Sequence, residues 1–145
     1  MKQIIFVVET NNSNKSDDRY IKRLYSERYE SNSNEVKYQF CHMGGKGKYN
    51  NKSTLSQINK LLKENKKGEN IVIYCFDTDK IDSSQEANKV FNEEKSYCDN
   101  KGYELVWFYY DIEYTLLGKC IESNMKKQES IKFLGNKKIT IDIQK

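Results

Sequence analysis

The sequence predicts a single α/β domain over residues 1–145, Rossmann-like, with three layers and a mostly parallel central sheet. Three observations predict it. Strand-like runs alternate with helical segments along the chain, the order that builds a parallel sheet through crossover helices. Two of these runs, Gln3–Val8 (QIIFVV) and Ile71–Phe76 (IVIYCF), are apolar almost throughout, as strands covered on both faces are. A chain of 145 residues suffices for one sheet-plus-helices core and leaves no room for two.

Gln3–Val8 is the first strand, and Glu9 follows it directly. A polar stretch, Thr10–Lys15, leads to Ser16-Asp17-Asp18, a helix start with an N-cap serine and early acids. Ile21, Leu24, Tyr25 and Tyr29 continue at helical spacing. Glu35–His42 (EVKYQFCH) places Val36, Tyr38 and Phe40 on one face of a strand nearer the sheet edge. Met43–Lys52 (MGGKGKYNNK) is a loop, after which Ser53 and Thr54 cap a second helix with the stripe Leu55, Ile58, Leu61, Leu62. That helix stops at Lys66-Lys67-Gly68. Ile71–Phe76 is the central strand. A third helix runs from Ser83 or Ser84 to Asn100 with Ala87, Val90, Phe91 and Tyr97 inward, and Tyr103–Tyr110 (YELVWFYY) is a fourth strand. Asp111 caps a helix from Ile112 to about Ser123. A short helix over Lys126–Leu134 and a final alternating strand, Lys138–Ile143 (KITIDI), complete the chain.

Composition narrows the function classes. Eleven Tyr and six Phe exclude a disordered polar tract, and no apolar run approaches the ~20 residues of a membrane span. Met1-Lys2-Gln3-Ile4 enters a strand at once without a signal peptide, as in a cytoplasmic chain. The four cysteines form no C-x-x-C pair and His42 is the only histidine, so a zinc set is excluded and reduced thiols are expected. A net charge of +4 permits a local basic patch without demanding a nucleic-acid partner.

In a parallel sheet, ligands bind outside the carboxyl ends of the strands. Three acids stand there: Glu9 after the first strand, and Asp77 and Asp79 after Ile71–Phe76. Residues i and i+2 of an extended chain point to the same side, so Asp77 and Asp79 converge. If the strands are neighbours, three carboxylates meet around one small site. A hard divalent cation, Mg²⁺ or Mn²⁺, is the simplest remedy for their repulsion. Otherwise Asp77-Thr78-Asp79 is a solvated turn.

An acid ending the first strand, followed by Asp-x-Asp ending a later one (Phe76-Asp77-Thr78-Asp79-Lys80), resembles the TOPRIM fold of topoisomerases, primases and small nucleases. Within that fold the chain looks like the RloB-like branch associated with bacterial defence and mobile elements. Ser16-Asp17-Asp18-Arg19-Tyr20-Ile21 stands where that branch has a Thr-Glu-x-x-Tyr-like stretch. Asp111-Ile112-Glu113-Tyr114-Thr115-Leu116-Leu117 matches its acid-opened apolar helix after the fourth strand. Thr10 stands where the branch has Gly after the first acid. The resemblance spans roughly residues 3–120 and implies metal-dependent phosphodiester chemistry on nucleic acid. Glu9 then acts as general acid/base or shares the metal, Asp77 and Asp79 hold it, and Glu113 is an outer ligand or orients a lysine. As a plain helix residue, Glu113 is a first-turn acid favoured by the macrodipole.

The loop adds a phosphate-binding candidate. Gly44, Gly45 and Gly47 let backbone approach a ligand, and Lys46, Lys48 and Lys52 supply charge. Between Gly44 and Asn70 seven Lys face two Glu, a local +5. No Walker A pattern is present. His42 is expected to serve packing or a hydrogen bond rather than catalysis. Trp107, Phe108, Tyr109 and Tyr110 are expected in the core rather than as a base-stacking platform, and Arg19, Lys22 and Arg23 on a solvated face. The rival function is a non-catalytic module of the same fold that binds a nucleotide, nucleic acid or protein beside an ATPase or another protein partner.

Overall fold

The computed structural model describes residues 1–10, 16–28, 36–77, 85–108, 111–119, 121–122 and 124–135. Among these, β1 (Lys2–Val8), β2 (Val36–His42), β3 (Glu69–Asp77) and β4 (Glu104–Phe108) form one sheet in the order β2-β1-β3-β4. Every pair is parallel. Five α-helices are described: α1 (Ser16–Arg28), α2 (Lys52–Glu64), α3 (Gln85–Lys101), α4 (Ile112–Leu117) and α5 (Lys126–Gly135). The predicted Rossmann-like α/β architecture is therefore present. No helix among the described residues is long and apolar enough to cross a membrane.

The near-continuous apolar runs of β1 and β3 follow from their interior positions, since each has a strand on both sides and helices above and below. Side chains alternate between faces along a strand, so each run feeds two cores. Ile5, Val7, Val72, Tyr74 and Phe76 meet Ile58 of α2 and Cys98 of α3 on one face. Phe6, Val8 and Cys75 meet Tyr20 and Ile21 of α1, Ile112 of α4 and Phe133 of α5 on the other. Burying each large side chain in these two clusters contributes about 1.5–3 kcal/mol. Tyr74 is fully buried and its hydroxyl donates to the Tyr49 carbonyl at 2.8 Å, which satisfies its polar end.

Four sequence expectations are corrected. Asn51, not Ser53 or Thr54, caps α2: its side chain accepts from the Thr54 N–H at 3.0 Å, and Asn is among the best N-cap residues. Thr54 is buried instead, and its hydroxyl donates to the Lys48 carbonyl at 2.7 Å. α4 ends at Leu117, well before Ser123, because Gly118 takes the left-handed conformation (φ 71°) that terminates helices. Trp107 is 53% exposed rather than in the core, because β4 is the edge strand among the described residues; its ring meets Phe91 edge-on at 5.3 Å. Arg19 is not simply solvated either, since Nη1 donates to the Ser130 hydroxyl of α5 at 3.2 Å. The predicted strand Lys138–Ile143 lies outside the described residues.

The sheet order fixes where a ligand belongs. From β1 the chain moves to β2 on one side, then crosses back to β3 on the other. The first helix and the next two thus cover opposite faces, and the carboxyl ends of β1 and β3 flank the resulting crevice.

Candidate functional site

Glu9 stands immediately after β1, and Asp77 is the last residue of β3. Because β1 and β3 are neighbours in register (Val7 opposite Tyr74), the two acids come together. The Glu9 carboxylate accepts from the Asp77 backbone N–H at 3.3 Å through Oε1. A separation above ~10 Å would have made them unrelated loop decoration, because metal–oxygen bonds near 2 Å cannot bridge such a gap. Asp79, the second half of the Asp-x-Asp, lies outside the described residues, as do the side chains of Glu113 and Lys46.

A third acid starts near this edge, in the helix-start stretch Ser16-Asp17-Asp18-Arg19-Tyr20-Ile21 that carries part of the resemblance, but it does not complete a metal-holding group with Glu9 and Asp77. Asp17, in the first turn of α1, is buried at the same edge. Burial and then the negative charges of Asp17, Asp77 and Glu9 push the Cys75 thiol well above its usual range. The signal was legible in principle: the first helix of a parallel α/β unit starts at the carboxyl edge, so Asp17 had to begin close to Glu9.

Asp18, also buried, explains His42. Both Asp18 carboxylate oxygens lie 2.9–3.0 Å from His42 Nε2. A carboxylate only accepts, so Nε2 carries the hydrogen and is spent on this contact. On its other side the His42 backbone exchanges two hydrogen bonds of 2.9 Å with the Gln57 amide of α2. His42 thus ties the end of β2 to the start of α1, which is the hydrogen-bonding role expected for it.

The glycine–lysine loop lies against the same edge. Met43 N–H donates to the Val8 carbonyl at 2.9 Å, and Gly44 N–H to the Thr10 carbonyl at 3.4 Å. Gly44 (φ 73°) and Gly45 (φ 149°) adopt backbone conformations that side chains resist, which lets the chain turn beside Glu9 before a 3₁₀ turn over Lys46–Lys48. Lys48 and Lys52 are exposed. Asp111, from the acid-opened helix motif, caps α4 by accepting from the Tyr114 N–H at 2.8 Å and pairs with Lys126 at 3.3 Å.

The donor set is all carboxylate oxygen, the chemistry that suits Mg²⁺ rather than zinc or copper. Among the described residues no three His, Cys, Asp or Glu side chains form a metal-holding group. Mg²⁺ is commonly held by one or two carboxylates with waters and substrate phosphates, so Glu9 and Asp77 fit that requirement. Comparison of the chain with models of known families, with curated proteins and with solved structures finds no match.

Proposed function

We propose that this chain is a metal-dependent phosphodiester-processing domain of the TOPRIM kind, a nuclease acting on nucleic acid in a bacterial defence or mobile-element setting. The observation that carries the reading is the juxtaposition of Glu9 and Asp77 at the crevice between β1 and β3, with the Glu9 carboxylate bonded to the Asp77 N–H.

In this reading Asp77 and Asp79 would hold Mg²⁺, and Glu9 would share it or act as the general acid/base. A cation held there would supply Lewis-acid polarisation of a phosphoryl oxygen and a lowered pKa for an attacking water. In the acid/base role Glu9 would transfer the proton, and its bond to the Asp77 N–H orients its carboxylate across the crevice. Lys48 and Lys52 meet the phosphates flanking the reacting one. Cys75 takes no nucleophilic part, because its thiol is held protonated.

The test is cleavage of labelled single-stranded and duplex DNA and RNA by the purified chain with Mg²⁺ or Mn²⁺ and with EDTA. The reading expects metal-dependent cleavage that Glu9→Gln and Asp77→Asn abolish without lowering the melting temperature. Cleavage absent with every substrate, in a folded protein that binds the metal, would assign the chain to the non-catalytic rival.

A further inference from the structure

The charge concentrated between Gly44 and Asn70 is not confined to the loop. α2 starts beside the carboxyl edge and runs back along the sheet, packing Ile58, Leu61 and Leu62 inward. Its outer side forms an open groove of about 830 Å³ lined by Asn50, Lys52, Leu55, Ser56, Asn59, Lys60 and Lys63. Three lysines and no acid line it. Asn50, Ser56 and Asn59 stand between them as neutral hydrogen-bonding groups. Lys66 and Lys67, both exposed, continue the positive charge beyond the helix end. At 1.5 Å per residue the lysines extend ~16 Å along the helix, a length matching several successive phosphates.

We infer that this groove binds the sugar–phosphate backbone of a single nucleic-acid strand, leading it away from the carboxylate crevice. Lysines spaced along one face with amides and a hydroxyl between them are the groups that contact phosphates and sugars without reading sequence. A membrane surface fits poorly. Helices that lie on lipid bury an apolar face in it, whereas the apolar face of α2 is already spent on the protein core. The inference rests on the nucleic-acid reading of the edge site, and extends it to where the strand runs.

The experiment measures binding of a labelled single-stranded oligonucleotide by fluorescence anisotropy in EDTA, over a salt series. Without divalent metal, the result is independent of whether the carboxylates catalyse anything. The Lys52→Gln/Lys60→Gln/Lys63→Gln variant should bind more weakly and lose about 2 from the slope of log K against log salt, near 0.7 for each phosphate contact removed. Lys60→Gln/Lys63→Gln should lose about 1.4 of slope. Lys89→Gln/Lys95→Gln/Lys101→Gln, an equal charge change on exposed positions of α3, should bind like wild type. Circular dichroism melts confirm that all three variants fold.

Equal weakening by the α2 and α3 variants would overturn the inference in favour of bulk charge. Unchanged slopes in the α2 variants would also overturn it, as would lysine-dependent binding to phosphatidylserine vesicles with none to the oligonucleotide. If cleavage fails while α2-dependent binding holds, the catalytic reading falls and the groove stands. If cleavage persists in a variant whose binding slope is unchanged, the groove falls and the catalytic reading stands.

Discussion

Asp18→Ala tests the link between the fold and the edge site. Asp18 and His42 are both buried at the side chain, 6% and 8% exposed, so water replaces their contact poorly. Removing the carboxylate strands the His42 Nε2–H. A lost hydrogen bond to a charged group costs about 1.5–3 kcal/mol, and a stranded buried donor brings the total to about 2–4 kcal/mol. For a domain of this size that corresponds to a fall in melting temperature of roughly 7–15 °C. Asp18→Asn keeps an accepting oxygen and should cost only about 1 kcal/mol. The change also frees the first turn of α1 from the end of β2, so amide exchange in that turn should speed up in Asp18→Ala and stay near wild type in Asp18→Asn. Differential scanning calorimetry and amide hydrogen exchange on both variants provide the check. Melting temperatures within about 2 °C of wild type for Asp18→Ala would refute the argument that this contact anchors α1.

The buried thiols make a second prediction. Burial pushes Cys41 up to about 12; burial, with the charges of Glu94 and Asp99, does the same to Cys98; the usual value is 9.0. Folding thus favours the protonated thiols, and their contribution to stability is fully present below pH 9.0 and lost as pH rises towards about 12. Tyr74 and Tyr103, raised chiefly by burial, act in the same direction above pH 10.0. Urea midpoints should therefore fall from about pH 9 upward, and Cys41 and Cys98 should resist iodoacetamide at neutral pH until the chain unfolds; a flat alkaline profile would contradict this. Thr54→Val removes the hydroxyl that donates to the Lys48 carbonyl and should cost about 1 kcal/mol, measured as a lower urea midpoint, whereas Thr54→Ser should restore most of it.

Much of the architecture was legible because a few residues demanded it. QIIFVV and IVIYCF carry no polar face, so each required helices on both sides, but their order along the sheet came only from the structure. The meeting of Glu9 with Asp77 followed from the same two runs once they became neighbours. Cap and terminus choices were less legible, because several residues compete for one role. Asn51, Ser53 and Thr54 can all cap, and Thr54 was instead drawn inward to hold the Lys48 carbonyl. Trp107 was misplaced because an apolar run does not say whether its strand is central or at an edge. Asp17 and Asp18 read identically as helix-start acids, yet Asp18 pairs with His42 while Asp17 is buried apart from that pair. Only the three-dimensional placement of β2 and β3 around α1 separates them.

The most direct test of the central claim is calorimetric titration of Mn²⁺, as a Mg²⁺ surrogate, into the wild-type chain and into Asp77→Asn/Asp79→Asn. Saturable binding to the wild type is expected, lost in the double variant while its melting temperature without metal stays the same or rises slightly, because mutual carboxylate repulsion is relieved. Binding of equal strength to both proteins would contradict it, as would a marked fall in the variant's metal-free melting temperature, which would make these acids structural.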